Sequence, residues 1–249
     1  MKLIILGSGT AVPLLERNCA GYLLEAGNRK ILLDTGAGTI RRLLEVKADL
    51  FEIDNIFYTH LHNDHINDLG AIIWSNNYGG IRKRALNIYG PYGLKKYCRA
   101  LIKKLLKPTK LHFDFIIEEL KNSEIKIGNI KIKTQQIKHS PATKSIAYRI
   151  EHGNKSLVYT GDTEYCSETI KISRNADVVL TECSFPDSKK VEGHLTPSLA
   201  GKIAKQANVK RLVLTHFYPD VLKTGIKKEA CKEFKGDIVL AKDKMVLNI

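Results

Sequence analysis

Short apolar runs bounded by turn-forming residues recur along the whole chain. Runs at 3–6, 30–33, 55–58, 86–89, 125–127, 130–134, 146–150, 156–159, 178–181, 212–214, 238–240 and 245–247 predict strands, because brief aliphatic and β-branched stretches between polar breaks are too short for helices. Gly-Asn pairs at 27–28 and 128–129, and the His152-Gly153-Asn154 triplet, predict turns. The clearest hairpin covers 125–134 and turns at Gly128-Asn129.

Three segments keep helical spacing instead. One follows His65 and carries Ile66, Leu69, Ile73 and Trp74. A second, over 94–107, places Leu94, Tyr97, Cys98, Leu101, Ile102, Leu105 and Leu106 on one face. A third starts at Thr196-Pro197, a cap followed by proline at the first helical position, and buries Leu199, Ala200, Ile203, Ala204 and Ala207. Strands clustered in runs, with helices between and after them, predict an α/β chain with a two-sheet core covered by helices. No linker, composition shift or internal sequence repeat divides it, so residues 1–249 read as one domain.

Composition narrows the class. With 43% hydrophobic residues in 249 the chain has enough apolar content for a core, which excludes a disordered chain. No apolar run approaches the roughly 18–20 residues of a membrane span, so no membrane is expected as a partner. The start breaks at Gly7 too early for a signal peptide. Five scattered cysteines without a CxxC are neither a disulfide framework nor a thiolate metal site, and they predict a reducing, cytoplasmic compartment. Forty Lys and Arg against 26 Asp and Glu leave a formal charge of +14, which suggests an acidic partner. From Leu69 to Phe113 there is no acidic residue but ten basic ones, among them Arg82, Lys83, Arg84, Lys95, Lys96, Arg99, Lys103 and Lys107. Arg82, Lys83 and Arg84 are candidate contacts for a substrate phosphate.

Two familiar signatures fail. Gly7-Ser8-Gly9 follows a strand but lacks the third glycine of a dinucleotide turn, and Pro13 interrupts any helix. Asp34-Thr35-Gly36 matches the aspartic-protease triplet but occurs once. No G-x-S-x-G nucleophile elbow is present. The informative stretch is Thr59-His60-Leu61-His62-Asn63-Asp64-His65, where a strand ends and a helix begins. Residues two apart in an extended segment point the same way, so His60 and His62 can hold one cation together. Asp64 and His65, past the turn, face a second. Imidazole and carboxylate suit zinc, and less selectively manganese or iron. Further ligands are expected at strand ends, where His139, Asp162 and His216 stand.

The ordered set Asp34, His60/His62/Asp64/His65, His139, Asp162 and His216 resembles the metallo-β-lactamase superfamily. The resemblance implies a four-layer αββα sandwich with two divalent cations at one edge. It implies His60, His62 and His139 on one metal, Asp64, His65 and His216 on the other, Asp162 between them, and Asp34 as a structural aspartate. Gly7-Ser8-Gly9-Thr10-Ala11-Val12-Pro13 with Arg17-Asn18, Gly90-Pro91, Thr181-Glu182-Cys183 and Gly193-His194-Leu195-Thr196 are similar to the ribonuclease Z branch. That branch implies that Glu182 and His194 protonate the leaving oxygen, and the resemblance favours a homodimer. Asp64 is a candidate to orient the attacking water or accept its proton.

One departure matters. Ribonuclease Z inserts a long arm that grips tRNA between the counterparts of His139 and Asp162. Here only 22 residues separate them, and two strands and a turn consume nearly all. The expected activity is hydrolysis of RNA or nucleotide phosphodiesters. The alternatives are a phosphodiesterase for small cyclic phosphodiesters, a thioester or lactone hydrolase, and a non-enzymatic nucleic-acid-binding protein.

Overall fold

A computed structural model describes residues 1–80, 82–105 and 110–249. The first sheet is built from β1 (Lys2–Gly7), β2 (Gly21–Ala26), β3 (Arg29–Thr35), β4 (Asn55–Phe57), β5 (Leu86–Gly90) and β6 (Phe115–Glu119). The second holds β7 (Glu124–Ile127), β8 (Ile130–Ile137), β9 (Ser145–His152), β10 (Lys155–Tyr159), β11 (Val178–Glu182), β12 (Arg211–Thr215) and β13 (Asp237–Leu240). The last strand, β14 (Val246–Asn248), returns to the first sheet, so the orders are β14-β1-β2-β3-β4-β5-β6 and β13-β12-β11-β10-β9-β8-β7.

Both sheets share one plan. Three antiparallel pairings, from β14 to β3 and from β7 to β10, are followed by three parallel ones, from β3 to β6 and from β10 to β13. The sequence shows no repeat, yet the topology does. Pairing constrains which faces are apolar and leaves residue identity free, so the likeness survives only in the path of the chain.

Parallel strands need crossovers, and helices supply them. They are α1 (Thr39–Glu45), α2 (Asn63–Ile66), α3 (Leu69–Tyr78), α4 (Leu94–Leu105), α5 (Ser167–Ser173), α6 (Pro197–Gln206), α7 (Pro219–Leu222) and α8 (Ile226–Glu233). One apolar cluster joins the inner faces of both sheets, including Leu3, Tyr22, Phe57, Ile132, Tyr148 and Tyr159. Two others sit outside. Leu43, Ile73 and Cys98 pack on the first sheet, and Ile172, Ile203 and Ala230 on the second. The layers therefore run helix, sheet, sheet, helix. Among the described residues no helix is long and apolar enough to cross a membrane.

The hairpin expected at Gly128-Asn129 forms, with Gly128 at φ 60°. The helix expected after His65 is two helices. α2 already begins at Asn63, so Asp64 and His65 lie inside it, and Trp74 of α3 is 48% exposed rather than core-facing. In α4, Leu94 and Cys98 are buried and Tyr97, Leu101 and Ile102 partly so, as the spacing predicts. Leu106 and Lys107 of that pattern lie outside the described residues. Thr196 holds the N-cap position of α6 but its side chain makes no capping bond. The loop carrying Arg17-Asn18 is tied to the far end of the chain. The Asp243 carboxylate accepts from the Ser8 and Asn18 amides at 2.9 and 2.8 Å, and Arg17 donates to the Ser8 hydroxyl at 2.6 Å.

Candidate metal centre

The sequence-predicted ligands converge just past the ends of β4, β8, β10 and β12. Past β4 the chain reaches His62, whose backbone is extended at φ −67° and ψ 150°, and the His60 and His62 ring centroids lie 4.6 Å apart. His139, just past β8, brings its ring to 4.9 Å from His60 and 5.0 Å from His62. These three side chains form one group able to hold a cation. Asp64, His65 and His216 form a second, and Asp162 approaches both through His60 and His65.

Distances in the second group define a small polyhedron. His65 Nε2 lies 3.2 Å from His216 Nε2. Asp64 Oδ2 lies 3.3 Å from His216 Nε2, and Asp162 Oδ1 lies 3.3 Å from His65 Nε2 and 3.4 Å from His216 Nε2. Donor atoms about 2.0–2.1 Å from a shared tetrahedral zinc stand roughly 3.3 Å from one another. Further, His60 Nε2 and Asp162 Oδ1 are buried without any hydrogen-bond partner, a costly condition that a cation removes. The residues present fit the implied pair of metals.

Hydrogen bonds behind the rings fix which nitrogen each histidine offers. Asp34 Oδ2 can only accept, so His65 carries its proton on Nδ1, 2.7 Å away. Thr59 donates its hydroxyl to Asp34 and thus accepts from His60 Nδ1 at 3.1 Å. The Gly193 carbonyl accepts from His139 Nδ1 at 2.8 Å. Ser184 donates its hydroxyl to Glu182 and accepts from His216 Nδ1 at 3.0 Å. All four rings thus use Nδ1 for these bonds and turn Nε2 towards the cluster. His62 instead turns Nδ1 inward, 3.2 Å from His139 Nε2.

Close backbone approach makes this possible. A side chain at Gly36 would meet the Asp64 carbonyl at 2.0 Å, and one at Gly193, where φ is 81°, would meet the His139 carbonyl at 2.3 Å. Asp34 and His216 themselves adopt left-handed backbone, φ 53° and 57°. Such conformations cost energy in non-glycine residues and persist where surrounding bonds over-determine them. Asp34 has four such bonds, from Thr59 N, Thr59 Oγ1, His65 Nδ1 and Tyr159 Oη.

Charge is balanced unevenly across the cluster. Burial drives His60 well below its ordinary value, helped by His65. Burial works the same way on His65, yet the charges of Asp162 and Asp34 outweigh it and hold that ring well above. For Asp64 the burial penalty is overcome by the His216 hydrogen bond and the His65 charge, which bring it to about 2.

Glu182 and His194 meet at the rim of the same cluster. Glu182 is buried at the end of β11 and accepts from the Thr163 amide at 2.7 Å, the Leu195 amide at 3.2 Å and the Ser184 hydroxyl. His194 Nδ1 lies 3.0 and 3.1 Å from its two oxygens. Burial lowers the His194 pKa, but the charge and hydrogen bond of Glu182, with Asp162 and Asp64 behind, push it up to about 9. The ring therefore stays protonated at neutral pH and has Nε2 free to hand on a proton.

Three expected phosphate contacts fall elsewhere. Arg82 is spent on Asp54 at 2.8 Å and on the Ile53 and Ala85 carbonyls, its side chain 2% exposed, and Arg84 also binds Asp54. Asp54 precedes β4 whereas His60 follows it, a separation of roughly 20 Å at strand rise. Lys83 lies with them around Phe51. In the sequence these charges look unpartnered, whereas Arg82 and Arg84 both bind Asp54. Conversely, sequence reasoning missed Thr59, Tyr159, Ser184 and the Gly193 carbonyl. These orient ligands from other strands, and no linear spacing marks them.

The chain is similar to known proteins along its whole length. Over 305 aligned positions it is 29% identical to ribonuclease Z of Archaeoglobus fulgidus, covering all of this chain and 97% of the relative. Over 253 positions it is 30% identical to the probable metallo-hydrolase YhfI of Bacillus subtilis, covering 99% of both. The crystal structure of that metallo-β-lactamase fold protein superposes with a TM-score of 0.87 at 27% identity, over 99% of this chain and 98% of that one. The short form of human tRNase Z gives 0.83 at 25% identity, over 100% and 99%. These likenesses give the two sheets and their helices the metallo-β-lactamase fold, and a metal-dependent hydrolase related to ribonuclease Z follows from the sequences. The model of the family described as anti-Pycsar protein Apyc1 matches residues 1–235, and the chain belongs to that family.

Proposed function

We propose that the chain is a dinuclear-metal phosphodiesterase whose substrates are cyclic nucleotides. The observation that carries the reading is the bare hairpin between His139 and Asp162. β9 and β10 pair directly across Gly153 and Asn154, with no arm between them. The alignment with the archaeal ribonuclease Z spans 305 positions against 249 residues here, whereas that with YhfI spans 253. The longer relative thus carries insertions that this chain lacks. A small cyclic phosphodiester needs no such arm, and the anti-Pycsar family model favours a cyclic nucleotide.

In this reading His60, His62 and His139 hold one cation, Asp64, His65 and His216 the other, and Asp162 serves both. When bound, the two cations supply a polarised water and offset the charge that develops on the phosphoryl group. The protein's own residues do the rest. Asp34, Thr59, Gly193 and Ser184 aim the ligand nitrogens. Asp64, ionised and fixed by the Ala11 amide, which donates to Oδ2 at 3.0 Å, is placed to orient the attacking water beside the second cation. His194, held on Glu182 through Nδ1, delivers a proton from Nε2 to the departing ribose oxygen.

An RNA substrate is the second reading, favoured by the exposed Lys95, Lys96 and Arg99 on α4. Turnover of 3′,5′- and 2′,3′-cyclic nucleotides, pre-tRNA, a bis-aryl phosphate and a thioester, each with and without chelator, separates them. The proposal expects chelator-sensitive cyclic-nucleotide hydrolysis exceeding the rest. Faster cleavage of pre-tRNA or of the thioester would overturn it.

A further inference from the structure

Beside the proton donor stands an aromatic pair that belongs to none of the three apolar clusters. Phe185 and Tyr218 stack with centroids 4.6 Å apart and planes at 19°. Phe185 meets the His194 ring at 5.4 Å, and Tyr218 lies 6.0 Å from the His216 ring. Tyr22, Phe57, Tyr148 and Tyr159 of the inter-sheet core are fully buried, but Phe185 and Tyr218 are both partly open. Among the described residues the Tyr218 hydroxyl has no hydrogen-bond partner.

We infer that Phe185, backed by Tyr218, is a stacking platform for the nucleobase of the substrate, an assignment that rests on the phosphodiesterase reading. A proton donor must sit within hydrogen-bond reach of the leaving oxygen. In a cyclic nucleotide that oxygen belongs to the ribose, so the ribose lies against His194. The base lies one sugar further out. Of the two partly open rings Phe185 is nearer His194, at 5.4 Å against 6.3 Å for Tyr218, and Tyr218 stacks on one of its faces. Every base presents a π-face, so such a platform gives affinity with little preference among bases. The Tyr218 hydroxyl, near the Asp64 and Asp162 charges, remains available to donate to a phosphoryl oxygen.

The test compares equilibrium binding of uridine and adenosine 5′-monophosphates with that of ribose 5-phosphate to the zinc-loaded protein, by calorimetry. Alanine substitution at a base-stacking ring typically costs roughly ten- to a hundredfold in affinity. The wild type is expected to bind both nucleotides at least about tenfold tighter than ribose 5-phosphate. Phe185→Ala and the volume-conserving Phe185→Leu should erase that ratio and leave ribose 5-phosphate binding unchanged, whereas Phe185→Trp should keep it. A wild-type ratio near one, a full ratio in Phe185→Leu, or equal loss for all ligands would overturn the platform. Wild-type turnover of cyclic nucleotide, measured in parallel, tests the activity separately. Base-dependent binding without turnover would refute the hydrolysis reading and support the platform.

Discussion

Replacing Glu182 with glutamine removes one charge from beside His194 and changes little in volume. Glu182 holds the His194 pKa at about 9 against an ordinary 6.5, a difference of roughly 3 kcal/mol. Without that charge only Asp162 and Asp64 oppose burial, and the ring falls back towards its ordinary value. Were the ring to return to its ordinary 6.5, the acid form at pH 8 would drop from about 90% to about 3% of molecules, a loss of about thirtyfold, and at pH 6 by less than about twofold. The assay is the pH profile of kcat for a cyclic nucleotide, whose leaving group is an alkoxide, beside that for a bis-nitrophenyl phosphate, whose phenolate leaves unprotonated. The account expects the thirtyfold loss at pH 8 for the nucleotide alone. Stability supplies a second readout. A raised imidazole pKa favours the folded state below 6.5 and loses that contribution as pH rises through about 9. The metal-free protein should therefore lose stability across that window, and the Glu182→Gln variant should lose less. Equal kinetic losses on both substrates, or a loss independent of pH, would refute the assignment of His194 as proton donor.

Other outcomes follow from the same geometry. Ser184→Ala leaves His216 Nδ1 and one Glu182 oxygen without their shared hydroxyl. Loss of such an outer partner costs roughly ten- to a hundredfold in metal affinity, so a competitive chelator titration should show that loss, and wild-type affinity would contradict it. Asp64→Ala should abolish turnover and weaken one cation far more than the other, as read by metal analysis after dialysis; retained kcat would exclude Asp64 from the reaction. His65 is held protonated in the metal-free protein by Asp162 and Asp34, so metal binding must expel a proton and weaken as pH falls. Calorimetry in buffers of differing ionisation enthalpy should detect it, and buffer-independent heats would contradict the charge assignment.

The candidate cluster was legible because a strand-to-helix junction compresses four possible donors into His60–His65, and because His139, Asp162 and His216 each follow an apolar run. Strand runs were legible wherever turns bounded them. β2 and β6 were not, because Gly21–Ala26 and Phe115–Glu119 carry alternating or mixed residues that gain strand character only from their neighbours. α1, α5 and α8 escaped for a related reason. They are short, and docking on a sheet rather than propensity stabilises them. The residues that aim the ligands were invisible. Thr59 and Ser184 look like any strand-end hydroxyl until Asp34 and Glu182 arrive from other strands. Arg82 misled for the opposite reason. A guanidinium in a basic run looks free until Asp54 folds against it.

The central claim is that four imidazole Nε2 atoms, one Nδ1 and two carboxylates gather around a pair of cations. Metal analysis of the purified, reconstituted chain tests it most directly, with the His60→Ala and His216→Ala variants alongside. The account predicts two equivalents of transition metal in the wild type and the loss of at least one in each variant. Less than one equivalent in the wild type after reconstitution, or full loading in both variants, would contradict it.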